Sequence, residues 1–387
     1  MSSDIVYLNN AATTWPKPEC VYEATDKAMR EFGSPRRHSS AMSEDSPDLL
    51  ESSRASIAKL IGAPNPRRLI LQPGCTYALN LGIQGHDWKA GDCIVMSSLE
   101  HHAVSRPVRK LAEDRGVEFV TVPYAPGDPF DLAFYENTLK TKNVKLVACM
   151  MASNVTGEIL PSREIVRLAH EHGAMCLLDG AQAVGITPMD VTELGADMVA
   201  LAGHKGLFGP TGCGALWVAD HVMLRTMAEG GTGGDSGKHG LPGHLPADFE
   251  VGTLNLPAIA GAAAGAEWLM ERGVESINAA EHALTERLIR GLADIKGVTI
   301  YGGRGTTNRT AAVSINIEGH ACKDVSAALN ERFAIVCRAG FHCAPMAHES
   351  IGSHPLGGTV RFSPGAFSTE GEIDTAIEGV SVLASEV

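Results

Sequence analysis

Short apolar runs alternate with helix-like patterns over the first 220 residues, and this alternation limits the chain to few folds. Seven runs have the length and composition of buried strands: 68–71, 92–96, 118–122, 145–150, 174–178, 197–201 and 214–218. Between them, apolar spacing predicts helices near 76–85, 103–115, 131–140 and 162–172. Strands that alternate with helices indicate βαβ units and a mostly parallel sheet. We therefore expect an α/β domain whose ligands bind beyond the carboxyl ends of its strands.

The C-terminal third follows a different pattern. Long helices are predicted near 257–272 and 279–295, and the last ninety or so residues alternate as a small α+β unit. Its elements are strands near 297–301, 311–317 and 358–363 and helices near 323–333 and 369–384. A chain of 387 residues is long for one compact core. We therefore predict a large domain over 1–295, whose N-terminal segment packs near the site, and a small α+β domain over 296–387 that carries the loop with Cys343.

Charge and cysteine content exclude several functional classes. The net charge of −13 argues against a general affinity for nucleic acid or anionic membranes, although a local basic pocket stays possible. No apolar run is long enough to span a bilayer, and the polar N-terminus lacks a secretory pattern. The nine cysteines include no CxxC pair. These features predict a cytoplasmic protein with free thiols.

Four motifs fall at predicted strand ends. PGCTYALN (73–80) is a phosphate cradle on a helix start or a simple helix cap. In LEHHAVSRP (99–107), His101 or His102 stacks on or protonates a ligand, with His101 the candidate catalytic residue, or it is a structural histidine. LLDGAQAVG (177–185) puts Asp179 at a strand end with Gln182 three residues later. LAGHKGLFGPTG (201–212) surrounds His204 and Lys205 with small residues.

Asp179 and Lys205, at consecutive strand ends, match the needs of pyridoxal phosphate chemistry. That chemistry requires a lysine to hold the cofactor aldehyde, an acid beside the pyridine nitrogen and a phosphate cradle. Gly203 and Gly206 leave room for a ring beside the lysine. The pattern therefore indicates a cofactor anchor at Lys205.

The C-terminal unit contributes two further motifs. In VCRAGFHCAPMAH (336–348), Cys343 is a small buried apolar residue, a nucleophile activated near Arg338, or a metal ligand. The candidate ligands His342, Cys343, His348 and His354 fit no standard zinc spacing, so we expect no metal. Arg361 in GTVRFSPG (358–365) clamps a substrate carboxylate or forms an ordinary surface ion pair.

Together these motifs resemble the class V aminotransferase family of pyridoxal-phosphate enzymes, and within it the cysteine desulfurases and selenocysteine lyases. The resemblance runs from YLNNAATTWPKP (7–18) to VRFSPGAFST (360–369). It includes, in order, EHHA, SNVTGEILP, DGAQAVG, GHKGLFGPTG, FEVGTLN and RAGFHC. It implies fold type I: a mostly parallel seven-stranded sheet flanked by helices, with a smaller α+β domain.

The resemblance also implies a role for each matching residue. Lys205 would bind pyridoxal 5′-phosphate covalently, Asp179 would pair with its ring nitrogen and His101 would stack on the ring. The remaining cofactor contacts would come from Gln182 at the ring hydroxyl and from Cys75, Thr76 and His204 at the phosphate. Thr253 would reach the phosphate bound by the partner subunit of a homodimer. Asn154 and Arg361 would hold the substrate carboxylate, and Cys343 would take the sulfur as a persulfide.

The implied reaction is conversion of L-cysteine to L-alanine, with sulfur passed to an acceptor protein or thiol. L-selenocysteine is an alternative substrate, and a C–S β-lyase is an alternative reaction on the same fold. An aminotransferase would leave RAGFHC without a purpose, and a non-enzymatic scaffold would leave Lys205, Asp179, His101 and Arg361 without one. The acceptor stays open among iron–sulfur cluster assembly, thiolated cofactors, tRNA and selenium metabolism.

Three positions depart from the family pattern. Ala202 stands where many relatives have a phosphate-binding serine, and Cys75 stands where threonine or alanine is common. A Gly-rich stretch, GGTGGDSGKHGLPG (230–243), differs from the better-known desulfurases. We interpret it as a loop and not as a dinucleotide fingerprint, because no strand and helix flank it in the required way. We also expect this loop to border the site.

Overall fold

A computed structural model of the chain describes residues 5–32, 46–233, 237, 239–303 and 308–386. In chain order, the central strands are β2 (Leu69–Gln72), β3 (Cys93–Ser97), β4 (Glu118–Val122), β5 (Val144–Met150), β6 (Met175–Asp179), β7 (Met198–Ala202) and β8 (Gly214–Val218). They form one sheet in the order β2-β8-β7-β6-β5-β3-β4. Only β8 runs antiparallel to its neighbours. The predicted seven-stranded, mostly parallel sheet is confirmed.

Helices cover both faces of this sheet. They are α1 (Glu19–Glu31), α2 (Ser46–Leu60), α3 (Cys75–Gln84), α4 (His102–Arg115), α5 (Leu132–Thr141), α6 (Ser162–Glu171), α7 (Val191–Leu194), α8 (Leu256–Arg272) and α9 (Val274–Ala293). Successive strand residues point to opposite faces, so Leu177 packs into the core under α3 and α4 and Leu178 into the core under α2, α6 and α8. Burial on both faces explains why the strands are continuous apolar runs.

Helix α9 begins at Val274, five residues before the predicted start at 279. Gly273 alone separates it from α8, with a φ of +82° that ends one helix and starts the next. The apolar spacing of residues 274–278 was too weak to extend the prediction backwards. No described helix is long and apolar enough to cross a membrane.

The C-terminal elements form a separate antiparallel sheet. Its strands are β9 (Val298–Tyr301), β10 (Val313–Ile317), β12 (Arg338–Gly340) and β13 (Thr359–Phe362), in the order β12-β13-β10-β9. Helices α10 (Cys322–Phe333) and α12 (Glu370–Ala384) pack on it, and α11 (Pro345–Ser350) follows β12. A short β1 (Val6–Tyr7) pairs with β11 (Ile335–Val336). Leu8 and Leu292 also join this core, and the division at 295 stays a prediction.

A buried carboxyl group holds two strand ends in register beside the site. Glu100 follows β3 and is fully buried. Its Oε1 accepts hydrogen bonds from Ser97 Oγ (2.6 Å) and from the Met150 N–H at the end of β5 (2.8 Å). Met150 is in turn paired with Asp179 on β6. Burial raises the pKa of Glu100 to about 8.

A buried ion pair ties α2 to the segment before α8. The side chains of Arg54 and Glu250 are both fully buried. Arg54 Nη1 and Nη2 lie 2.5 and 3.0 Å from Glu250 Oε1 and Oε2, and Arg54 Nη1 also donates to the Leu69 carbonyl at 2.7 Å. The Leu71 N–H donates to Glu250 Oε1 at 2.7 Å. This pair therefore connects a helix, a strand and a loop.

Replacing Glu250 with Ala should lower the free energy of unfolding by about 3–5 kcal/mol, because it leaves the Arg54 charge buried and unpaired. Urea denaturation followed by circular dichroism measures this change. The matched control is Glu51→Ala, which removes a half-exposed carboxylate from the same arginine and should cost less than about 1 kcal/mol. Equal losses in the two variants would contradict the assignment.

The wild type should lose stability relative to a Glu100→Gln variant as pH rises from about 5 to about 8. The pKa of Glu100 is raised in the folded protein, so the unfolded state ionises first and folding becomes less favourable through this interval. Urea denaturation of both proteins across this pH interval tests the slope. Parallel stability curves would show that Glu100 does not titrate in this interval.

Candidate functional site

A cavity of about 380 Å³ opens beyond the carboxyl ends of β5, β6 and β7, where the sequence predicts ligand binding. All predicted site residues except Thr253 and Cys343 line it. They are Cys75, Thr76, His101, Asn154, Asp179, Gln182, His204, Lys205 and Arg361. The two sheets thus bring residues from six separate sequence motifs into one place.

Lys205 lies in a tight turn after β7 that only small residues permit. A Cβ at position 206 would lie 2.1 Å from the Val184 carbonyl oxygen, and one at position 203 would lie 2.8 Å from the Cys213 carbonyl oxygen. The glycines therefore let the turn pack closely beneath the lysine. Burial lowers the pKa of Lys205, Arg361 and Arg338 add to this effect, and Asp179 opposes it.

Asp179 ends β6 on the floor of the cavity with only 5 % of its surface exposed. Its Oδ1 accepts a hydrogen bond from the Ala181 N–H at 2.9 Å and lies 3.6 Å from Cys75 Sγ. Burial raises the pKa of Asp179, whereas the Ala181 N–H and Lys205 lower it. A cationic ring nitrogen would therefore find a nearly dry carboxylate here.

His101 is both the N-cap of α4 and a wall of the cavity. Its Nδ1 accepts a hydrogen bond from the Ala103 N–H at 3.0 Å. Burial and the charge of Lys205 lower the pKa of His101 to about 3, so the ring is neutral. Its proton is therefore on Nε2, and the cap fixes the plane of the ring.

The opposite end of the cavity suits an anion. Helix α3 begins at Cys75 without a side-chain cap, so its first N–H groups have no partner within the helix. His204 Nδ1 is buried and has no hydrogen-bond partner among the described residues. Burial, followed by Lys205 and Lys17, lowers the pKa of His204 to about 4. This donor set fits the phosphate of pyridoxal phosphate, and Ala202 adds no hydroxyl to it.

Arg361 is fully buried on β13 and faces the cavity. Its Nη1 donates to the Asn154 carbonyl at 2.8 Å, and its Nη2 lies 3.4 Å from Asn9 Oδ1. Burial, reinforced by Arg338, lowers the pKa of Arg361 to about 9. No described carboxylate pairs with it, so the surface ion pair considered from the sequence does not fit.

The side chain of Asn154 is already engaged with the loop that carries Cys343. Asn154 Nδ2 donates to the His342 carbonyl at 2.8 Å, which leaves Oδ1 as its free atom. Oδ1 accepts hydrogen bonds and cannot donate one to a carboxylate. In this arrangement Asn154 offers the cavity an acceptor, and Arg361 offers donors to a carboxylate.

Cys343 is exposed beside the cavity at a sharply bent loop. His342 and Cys343 have φ values of +49° and +60°, a left-handed conformation that costs L-residues about 1–2 kcal/mol each. The bend buries the His342 side chain and leaves the Cys343 side chain in solvent. The His102 N–H donates to the Cys343 carbonyl at 2.7 Å, and Arg338 Nη2 donates to Cys343 Sγ at 3.4 Å. The large unit thus anchors the backbone on each side of the sulfur.

The histidines around Cys343 bond to hydroxyl groups. His342 Nε2 lies 3.0 Å from Thr359 Oγ1, and His348 Nδ1 lies 2.7 Å from Ser353 Oγ. His354 stacks on Phe341 with ring centroids 4.9 Å apart. The described residues contain no group of three or more histidine, cysteine or acidic side chains that could hold a metal.

Thr253 lies outside this cavity. It borders a second cavity of about 500 Å³, which shares Pro73, Tyr77 and Gly212 with the first. Its assigned role, contact with a phosphate in the partner subunit, stays a prediction. The Gly-rich stretch borders neither cavity with its described residues, and residues 234–236 and 238 lie outside the described part.

The sequence predicts that the N-terminal segment packs near the site, but it names none of the contacts that this segment makes with the lysine turn. Thr13 Oγ1 donates to the His204 carbonyl at 3.0 Å, and Thr14 Oγ1 donates to the Lys205 carbonyl at 3.1 Å. Gln182 Nε2 donates to the Ala11 carbonyl at 2.8 Å. Paired threonines after small residues, in AATT, were the available signal, but a short motif does not name its partner.

Comparison with known proteins agrees with this geometry. The family model described as Aminotransferase class-V matches residues 6–375. A probable cysteine desulfurase of Mycolicibacterium paratuberculosis is 34% identical over 98% of this chain, which spans 55% of that protein. One of Xylella fastidiosa is 33% identical over 96% of this chain and 89% of its own length.

Solved structures show the same fold. The apo cysteine desulfurase of Thermococcus onnurineus superimposes with a TM-score of 0.91 at 29% identity, covering 99% of this chain and 95% of its own. The cysteine desulfurase CsdA of Escherichia coli gives 0.87 at 27% identity, covering 100% and 96%. Because the family model matches nearly the whole chain, this protein belongs to the class-V aminotransferase family.

Proposed function

We propose that this protein is a pyridoxal-phosphate-dependent cysteine desulfurase that moves sulfur from L-cysteine to Cys343 and releases L-alanine. The names of its relatives support this activity. The observation that carries it is the position of Cys343: exposed, anchored through its backbone, and bonded to an arginine that also lines the Lys205 cavity. A buried structural cysteine would need none of these features.

The cavity residues divide into those that would hold the cofactor and those that would hold the substrate. Lys205 would bind the cofactor covalently, with Asp179 at the ring nitrogen and His101 against the ring face. Gln182, Cys75, Thr76 and His204 would supply the remaining cofactor contacts. When bound, the cofactor supplies an electron sink for negative charge at the substrate α-carbon. Thr253 would complete the phosphate site across a homodimer.

Arg361 would orient the substrate through its carboxylate. The guanidinium is held by Asn154, while its Nε is buried and has no described partner. A guanidinium with free donors in a dry site binds a carboxylate strongly. This contact would direct the α-carbon towards Lys205 and the substrate sulfur towards Cys343.

Lys205 Nζ would take the α-proton, since burial favours its neutral form. The Cys343 sulfur would then attack the substrate sulfur, forming an S–S bond as the C–S bond breaks. The electron pair of that bond stays with carbon, which gains a proton and becomes the methyl group of alanine. One thiol proton thus moves to the methyl carbon, the other stays on the persulfide, and Lys205 returns the α-proton to the α-carbon, so no external oxidant is required. Arg338 would stabilise negative charge on the Cys343 sulfur.

The direct test mixes the purified holoenzyme with L-cysteine and dithiothreitol and quantifies the products. Equal amounts of alanine and sulfide support desulfuration. Pyruvate and ammonia would instead identify a C–S β-lyase and remove the role of Cys343. A strong preference for L-selenocysteine in the same assay would identify a selenocysteine lyase.

We place the activity in the cytoplasm, with a thiol or an acceptor protein as the recipient of the sulfur.

Replacing Cys343 with Ser should lower alanine formation by about 10³-fold or more, because the attacking sulfur is lost. The cofactor absorbance, and its change on adding L-cysteine, should be retained, since Cys343 does not line the cofactor cavity. Cys337→Ser is the matched control, a half-buried cysteine six residues earlier. Full alanine production by Cys343→Ser would refute the mechanism.

Replacing Arg361 with Lys should raise KM for L-cysteine and lower kcat/KM by about 10- to 100-fold, as expected when a bidentate carboxylate contact becomes a point charge. Steady-state kinetics with L-cysteine provide the measurement. Arg309→Lys is a control, because Arg309 is also a buried arginine bonded to carbonyls but does not line the cavity. An unchanged KM in Arg361→Lys would exclude carboxylate binding there.

A further inference from the structure

We infer that a patch of three arginines around Cys343 docks an acidic, cysteine-bearing segment of the protein that receives the sulfur. This arginine patch consists of Arg106, Arg109 and Arg338. The inference rests on the proposed function, because it concerns the step after the persulfide forms. It adds a recognition surface and the charge of the partner, neither of which follows from the cavity.

The three arginines approach the Cys343 loop from both structural units. Arg106 lies one helical turn after His102, whose N–H bonds to the Cys343 carbonyl. Arg109, one turn further, places Nη2 3.6 Å from Sδ of Met346, three residues after Cys343. Arg338 donates to the Cys343 sulfur itself at 3.4 Å. Positive charge therefore borders the exposed sulfur along α4 and at the end of β12.

These charges have no acidic partners in the part of the chain that the structure describes. None of the three arginines has a described carboxylate oxygen within 4.0 Å, although Lys110 on the same helix pairs with Asp114 at 2.6 Å. Arg106 and Arg109 are exposed, and Arg109 otherwise lies over the Phe119 ring at 5.3 Å. In a chain of net charge −13, a cluster of unpaired arginines is a local exception. Such a cluster attracts an anionic partner at short range.

The acids nearest in sequence do not neutralise the arginine patch. Glu113 follows Arg109 by four residues on α4 but makes no ion pair with it. Glu349 on α11 contacts His354 at 3.9 Å instead. Both are exposed and belong to the rim of this surface. The charge next to the sulfur is therefore positive.

The extent of the surface favours a protein segment over a small thiol. Arg106 and Arg109 are about 4.5 Å apart along the helix axis and share one face, while Arg338 lies on another element. Phe341, two residues before Cys343, is 37 % exposed, and Leu356, two residues after the His354 that stacks on Phe341, is 56 % exposed, so both add apolar area near the loop. Arginine beside exposed aromatic and aliphatic groups is typical of protein interfaces. A small molecule with one or two carboxylates would leave most of this surface uncovered.

The test measures sulfur transfer to designed peptides. The holoenzyme is loaded with one equivalent of L-cysteine, and the rate of transfer is measured to a peptide whose single cysteine is flanked by glutamates. A second peptide carries lysines in place of the glutamates, and dithiothreitol serves as a small neutral thiol. The variant is Arg106→Glu with Arg109→Glu. The control, Arg67→Glu with Lys89→Glu, makes the same charge change before the amino ends of β2 and β3, away from the carboxyl strand ends that border the cavity, and both residues are exposed.

We expect the wild type to transfer sulfur to the acidic peptide about 10-fold faster than to the basic one. The Arg106→Glu, Arg109→Glu variant should lose this preference, and the control variant should keep it. The difference between variant and wild type should shrink at high salt, because charges are screened over about 10 Å at 0.1 M. Transfer to dithiothreitol and first-turnover alanine should be unchanged. Equal behaviour of variant and control would overturn the inference.

A binding measurement separates this inference from the proposed function. The acidic peptide, with serine in place of cysteine and a fluorescent label, is titrated with holoenzyme and followed by anisotropy. Binding that is weakened only in the Arg106→Glu, Arg109→Glu variant supports the arginine patch even if no alanine forms from L-cysteine. Absence of binding, or binding that the charge reversal leaves unchanged, excludes an acidic docking segment even if desulfuration is active.

Discussion

The site depends on one residue, Asn154, which joins the two sheets of the protein. Its carbonyl accepts a hydrogen bond from Arg361 on β13, and its side chain donates to the carbonyl of His342. It follows β5, close to the strand end that Glu100 holds. Asn154 therefore fixes the positions of Arg361, the proposed substrate clamp, and of the loop that carries Cys343 relative to the end of β5. A shift between the two units would break these hydrogen bonds and move Arg361 and Cys343 away from Lys205 and Asp179.

A second constraint is the balance of charge in a dry cavity. Lys205, Arg338 and Arg361 face one carboxylate, Asp179, and burial lowers the pKa of both Lys205 and Arg361. Even with Lys205 neutral, the two arginines outnumber the one carboxylate, and this excess of positive charge in a dry site has an electrostatic cost. A phosphate and a substrate carboxylate would offset that cost, so the same arrangement that destabilises the free site favours anionic ligands. A chain with a net charge of −13 can therefore contain a pocket whose lining favours anions.

The sequence predicted the sheet well because the two-sided burial of its strands leaves long apolar runs, as in residues 145–150 and 174–178. It placed the polar residues at strand ends, and parallel topology brings such ends together whatever the loops do. The start of α9 was wrong because a single glycine separates it from α8. The sequence places Arg338 five residues before Cys343, but it does not predict that their side chains are in contact, because that contact depends on the pairing of β12 with β13. The orientation of the Asn154 amide likewise depends on a carbonyl 188 residues away.

The left-handed backbone at His342 and Cys343 has a consequence for how sulfur is transferred to an acceptor. One side chain of the pair is locked inside by Thr359, and both backbone carbonyls are tethered to the other unit. These three hydrogen bonds hold the loop in one position, so it does not carry the sulfur from place to place. Sulfur bound to Cys343 therefore stays at this position, and the acceptor must come to it. The shape of the acceptor then determines whether its own sulfur-accepting group reaches Cys343. The protein surface beside the loop therefore selects which acceptors receive the sulfur.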